Sequence, residues 1–442
     1  MMSENLEVHI QLGQETRRVG TLYYHLRGRL ESSTFSYHDD WLRNPARFAI
    51  QPDMALGRDS HHWSSEQGSM PGALRDGSPD RWGRKLIVRA TQKSGEPAPV
   101  SELGFLVALD DTTRIGALRY RLEGHDEFLR GEHDRRVPPV IALPRLLNAA
   151  GAVENDSETP DDLDYLLGHG SPLGGARPKS AIRDADGTLA IAKFPKADDI
   201  RNIAAGEVLL ATIAQRAGIS TNETRLLSVE NQPVSIIKRF DRDPEGGRTH
   251  FISAMTMLGA REGEDGTYTD MALAIRRFGA APKRDTHELF RRAALNVLAT
   301  NLDDHLRNHG FLYDPEDGKW RLTPAYDLNP VPITERSRNL TTWISEAGSE
   351  AALDNLFEVA PEFLLKLQEA RKIVREVAEV TQKWRDIGRQ IGLTDSDLSP
   401  YATAFEHEEL ALAQRKLFPS ASPEPTPAKG KPPEPSGGGF SP

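Results

Sequence analysis

Apolar and polar positions alternate strictly over residues 6–12, which predicts a strand with one buried face. Residues 19–24 fit its hairpin partner, and 35–37 and 47–50 fit further short strands. Asp80 stands where a helix cap is expected, ahead of a helical run to Ala90. Residues 103–109 are almost wholly apolar and should be buried, and 115–120 predict another strand. The pair Asp186-Gly187 is a strong hairpin turn joining 179–183 to 188–194. A helix is expected over 203–217 with Gly218 as its stop. Residues 223–229 and 233–240 form a further strand pair.

Beyond Asp241 the pattern turns mostly helical. Asp285 and Glu288 have capping-box spacing ahead of a stripe of Leu289, Phe290, Ala293, Val297 and Leu298. A long helix is expected from Pro361, with Phe363, Leu367, Ala370, Val374, Val377 and Trp384 on one face. A last helix is expected over about 400–417. Residues 420–442 are rich in Pro, Gly and Ser and should be disordered.

This succession predicts an α+β fold in two lobes, β-rich first and helical afterwards. The expected divisions are an α+β module over 1–125, a linker and connecting helix over 126–160, a β-rich nucleotide-binding part over 161–240, a helical lobe over 241–418 and a tail over 419–442. At 442 residues the chain exceeds a typical single domain. It has no cysteine, which excludes disulfides, thiolate metal sites and a Cys nucleophile. A net charge of -10 argues against a broad basic surface for nucleic acid. No apolar run is long enough for a membrane span, and the first residues lack a signal pattern, so a cytoplasmic location is expected.

The candidate chemistry lies in the loop 301–309 (NLDDHLRNH) and in 322–330 (LTPAYDLNP). Asp303 and Asn308 are five residues apart, and Asp327 follows past one hairpin. Protein kinases use this order, with the first Asp as proton acceptor and the Asn and second Asp on magnesium. Upstream, 170–179 holds three glycines in six residues, which lets a backbone approach phosphates closely. Lys193 ends an otherwise apolar strand face, where burial requires a partner. Glu207 on the following helix is placed to pair with it, as a kinase's strand lysine pairs with a helix glutamate. The strand leaving the sheet at 238–240 would be the hinge on which adenine rests. Each signal is weak alone: a glycine-rich loop is more often a surface turn, and Lys193 and Glu207 could be solvated.

Together, 171–179 (SPLGGARPK), 191–195 (IAKFP), 237–242 (IKRFDR), 301–309 and 322–327 resemble the HipA family of serine/threonine kinase toxins. Residues 79–84 (PDRWGR) and 114–118 (RIGAL) are similar to that family's N-terminal domain. The resemblance covers roughly residues 6–417. It implies an ATP- and Mg2+-dependent kinase acting on a protein Ser or Thr hydroxyl, with ATP between the lobes. A helix-turn-helix antitoxin would neutralise it, and DNA would be reached only through that partner. Asp303 matches the catalytic Asp, Asn308 and Asp327 the magnesium ligands, and Lys193, supported by Glu207, the phosphate-contacting lysine. Gly174, Gly175 and Lys179 fall at the phosphates, Lys238 and Phe240 at the adenine hinge, and His305 where a nucleotide contact or loop brace is expected.

One departure stands out. Family members often carry an autophosphorylated Ser just before the paired small residues of the glycine-rich loop, where this chain has Pro172, with Ser171 one residue earlier. Self-inhibition through Ser171 is therefore expected to be weak or absent. Two other functions remain open. Asp303, Asp304, His305 and His309 lie within seven residues and offer ligands for a metal-dependent hydrolase. The chain could also be a catalytically inactive nucleotide-binding partner protein.

Overall fold

A computed structural model describes residues 2–129, 137–167 and 175–417. The expected tail, Ser171 and Gly174 therefore lie outside the described residues. The described chain builds three antiparallel sheets and a largely helical C-terminal part.

The first sheet is formed by β1 (Met2–Leu12), β2 (Glu15–Arg27), β3 (Leu30–Tyr37), β4 (His61–Ser64) and β5 (Leu118–Leu122), in the order β4-β3-β2-β1-β5. The alternation of β1 does what it predicts: Leu6, Val8 and Ile10 are fully buried. The second sheet contains β6 (Lys179–Arg183), β7 (Leu189–Lys193), β8 (Thr224–Val229) and β9 (Gln232–Lys238), in the order β6-β7-β9-β8. The third is β10 (Phe251–Ser253), β11 (Gly310–Asp314) and β12 (Lys319–Leu322).

Two apolar cores hold these layers. The larger runs from the first sheet (Val8, Leu22, Phe35) into the helix Pro282–Leu298 through Leu289, Phe290 and Leu298. The smaller lies under the second sheet. There Ile182, Ala190, Ala192 and Ile236 meet Trp82 and Leu86 of the helix Arg81–Ser94, Leu146 and Val153 of Leu143–Glu154, and Leu163 and Leu166 of Pro160–Leu167. A helix from the N-terminal part of the chain is thus built into the core under the second sheet. Its cap is Asp80, whose Oδ1 accepts from the Gly83 N–H at 2.8 Å.

Four local expectations are corrected. Residues 47–50 form no strand, because side chains take their backbone groups: Trp41 Nε1 donates to Phe48 O (3.2 Å), Ile50 N–H donates to the Tyr37 hydroxyl (3.2 Å), and His250 bonds Ile50 O (2.8 Å). The helix bearing Asp285 starts at Pro282, whose fixed φ suits a first turn. Asp285 is therefore no cap partner, and it accepts instead from Leu322 N–H and Arg321 Nε, both at 3.2 Å. The helix expected from Pro361 is broken, since Ala360–Phe363 is a 3-10 turn, Leu364 is left-handed (φ 61°), and Leu367–Thr381 and Trp384–Gln390 are separate helices. Leu367, expected in the stripe, opens its helix half-exposed. The last helix divides into Ala402–Phe405 and Glu408–Leu417, because the Thr300 hydroxyl takes the Ala404 carbonyl at 2.7 Å.

Burial pushes the buried His250 and the partly buried His407 down to about 4. Both therefore stay neutral in the fold while their unfolded counterparts protonate near 6.5. Stability is whole above that pH and is lost as pH falls towards 4. For His250 the expected loss is about 2 kcal/mol between pH 7 and pH 5. Urea unfolding across this range should show the fall, and His250→Gln should make it shallower. An unchanged slope in that variant would contradict the assignment. Among the described residues no helix is long and apolar enough to cross a membrane.

Candidate phosphoryl-transfer site

The helix Pro282–Leu298 ends in a loop whose two adjacent acids face opposite ways. Asp304 is buried and accepts from His309 Nε2 (2.7 Å), from Asn296 Nδ2 (2.8 Å) and from the Tyr268 hydroxyl. Burial alone would raise its carboxyl, but His309 and Tyr268 bring it below the ordinary carboxylate range. Asp303 faces solvent with its side chain 69% exposed and meets only the Arg336 guanidinium, at 3.2 Å, among its side chain's ion pairs. Its carbonyl accepts from Asn308 Nδ2 at 3.1 Å. Asn308 Oδ1 and His305 Nδ1 are buried with no hydrogen-bond partner among the described residues.

The segment carrying Asp327 is sewn to this loop. The Tyr326 hydroxyl donates to Arg307 O (2.8 Å), and Asn329 N–H donates to Asn301 Oδ1 (3.1 Å). Asp327 is held at φ 58°, unusual for a residue with a side chain, and such strain concentrates at functional sites. Its Oδ1 accepts from Lys193 Nζ at 2.7 Å and from Asn329 Nδ2 at 3.0 Å. Lys193 also donates to Glu207, whose other oxygen accepts from the Ser235 hydroxyl at 2.9 Å. Burial opposes both charges, yet Asp327 and Glu207 hold Lys193 above its usual value, and chiefly Lys193 brings Asp327 down to about 2. Lys193 is thus a fixed cation between a helix acid and a loop acid.

Lys179 lies directly across the strand pair from Lys193 and is itself buried. Its ammonium donates to Asp80 Oδ2 (2.5 Å) and to Gly175 O (3.2 Å), with Gly175 left-handed at φ 99°. For a hard divalent cation, Asn308 Oδ1 and the Asp327 carboxylate are suitable donors, and the unpartnered Asn308 oxygen fits that use.

Residues 171–384 match the family model of the HipA-like C-terminal domain. The chain carries a HipA-like C-terminal domain, and its resemblance to the HipA family holds. No curated protein matches the chain. Among solved structures, HipA of Shewanella oneidensis MR-1, determined with HipB and its operator DNA, superposes with a TM-score of 0.68 at 16% identity, over 93% of this chain and 97% of that one. The proinflammatory kinase CtkA of Helicobacter pylori gives a TM-score of 0.42 at 16% identity, over 56% of this chain and 94% of that one. The fold is accordingly α+β, with a HipA-like two-lobe arrangement.

Within this HipA-like domain, Lys193, Glu207 and Asp327 come together as a bonded set, and Asp303, His305 and Asn308 share the adjoining loop. Lys238 keeps its expected place at the strand exit, but its side chain turns away from it. Its ammonium turns to Asp186 at the hairpin tip (3.0 Å), and its N–H is taken by Glu223 O. Phe240 remains at the strand exit, its ring centroid 5.4 Å from that of Tyr326. Asp303, Asp304, His305 and His309 do not converge, since Asp304 and His309 bond each other inside the core while Asp303 faces out. Among the described residues no group of three or more His, Asp or Glu is placed to hold a metal ion, and the hydrolase alternative loses its ligand set. Asp80 and Arg336 were not anticipated at the site. Asp80 is legible as a cap but is 99 residues from Lys179, and Arg336 sits in a charged stretch with no periodicity.

Proposed function

We propose that this protein is an ATP- and magnesium-dependent protein kinase of HipA type, transferring phosphate to a Ser or Thr hydroxyl of another protein. The observation that supports it most is the Lys193 bridge between Glu207 and Asp327 beside the unpartnered Asn308 oxygen. Lys193 would hold phosphate oxygens while Glu207 keeps its ammonium in place. Asn308 and Asp327 would hold magnesium, which would supply positive charge against the charge developing on the transferred phosphate. Asp303, facing the open side, would orient the acceptor hydroxyl and take its proton. Main-chain groups near Phe240 would receive the adenine, and Gly175 would border the phosphates, with Gly174 alongside.

The Shewanella HipA was determined with HipB and operator DNA. By analogy this chain would act as a toxin bound by a helix-turn-helix antitoxin, with DNA contacted through that partner, in the cytoplasm. Labelled γ-phosphate should pass from Mg-ATP to protein hydroxyls in a cell extract. Retained ATP binding without transfer would instead indicate an inactive nucleotide-binding protein.

A further inference from the structure

Two lysines face each other across β6 and β7, Lys179 opposite Lys193. Like charges directly opposite on one sheet repel, so each needs its own counter-charge. Lys193 has Glu207 and Asp327. Lys179 has Asp80, and this carboxylate comes from the N-terminal module rather than from the HipA-like C-terminal domain. The Lys179 side chain is 1% exposed and that of Asp80 5%. The two Asp80 oxygens are divided, Oδ1 capping the helix Arg81–Ser94 and Oδ2 receiving Lys179. Trp82 of the same helix donates to the Lys179 carbonyl at 3.0 Å, so side chain and main chain of Lys179 are gripped by one helix start. Lys179 in turn holds the Gly175 carbonyl at the foot of the glycine-rich segment.

We propose that Asp80 is a positioning residue of the nucleotide site: it fixes the Lys179 ammonium against the Gly175 carbonyl at the foot of the glycine-rich segment, so that the N-terminal module completes the site. The inference rests on the kinase assignment above. Among the described residues, the groups that act on the Lys179 ammonium include Asp80 from the helix cap, Gly175 O from its own segment, Lys193 across the sheet and Asp327 from the loop after β12. Burial already draws Lys179 below its ordinary value, and Asp80 is the largest influence opposing that. Without the carboxylate the ammonium would lose its proton at lower pH.

Calorimetric titration of the full chain with Mg-ATP and with adenosine, at pH 7 and pH 9, tests this. In Asp80→Asn the Kd for Mg-ATP should rise about tenfold or more, as for loss of a buried charged hydrogen bond, while that for adenosine changes less than about twofold. The loss should deepen at pH 9 more than in the wild type, and Asp80→Glu should recover part of it. Combining Asp80→Asn with Lys179→Met leaves neither buried charge unpaired, and this pair should bind Mg-ATP no more weakly than Lys179→Met alone. If Asp80→Asn lowers the melting temperature but keeps the wild-type ratio of ATP to adenosine affinity, Asp80 is only a brace between modules and the proposal fails. A double variant that binds Mg-ATP more weakly than Lys179→Met also overturns it. A wild-type chain that binds no Mg-ATP overturns the kinase assignment and this inference together.

Discussion

Asp303→Asn is expected to reduce phosphate transfer by about 10²–10⁴ while leaving the melting temperature unchanged. The amide keeps the shape of the carboxylate but cannot take the proton of an attacking hydroxyl. The side chain is mostly exposed and its ion pair with Arg336 lies at the surface, where such pairs contribute little to stability. Nothing in the core depends on it. Transfer of labelled phosphate by wild type and variant, with melting curves of both, checks the two halves of this expectation. Near wild-type turnover in Asp303→Asn would show that the proton acceptor is another group.

The neighbouring acid should behave in the opposite way. Asp304→Ala is expected to cost about 3–5 kcal/mol of stability, since it strips one partner from a buried charged network. His309, Asn296 and Tyr268 all direct hydrogen bonds at this one carboxylate, and water cannot replace it in the packed interior. Urea unfolding measures the loss. A variant with unchanged stability and no phosphate transfer would reverse the roles of the two acids. The contrast is sharp because both residues sit on one loop and differ only in the direction they face.

Much of this arrangement is legible in the sequence where one period or one short spacing carries it. The stripe Leu289, Phe290, Ala293, Val297, Leu298 needs only the helical repeat, and all five are fully buried. Lys193 and Glu207 are legible because a charged residue on an apolar strand face requires a partner, and the next helix supplies one acid in an apolar setting. Asp303 and Asp304 look alike in sequence, and only packing separates them. The breaks at Leu364 and Ala404 and the irregular 47–50 segment come from tertiary hydrogen bonds that no local pattern encodes. Thr300 reaches Ala404 across 104 residues, and His250 reaches Ile50 across 200. The Asp80–Lys179 pair is hidden for the same reason. Lys238 illustrates the converse, since the strand exit is where the pattern puts it but its long side chain follows a nearer carboxylate.

In the proposed mechanism Asn308 and Asp327 hold magnesium for a nucleotide anchored on Lys193. Titration calorimetry of ATP, with and without magnesium, on the wild type, Asn308→Ala and Asp327→Ala tests it most directly. Wild type should bind Mg-ATP more tightly than ATP alone, and each variant should lose most of that difference while retaining magnesium-free binding. Equal losses with and without magnesium would contradict the claim and leave both residues as structural parts of the loop.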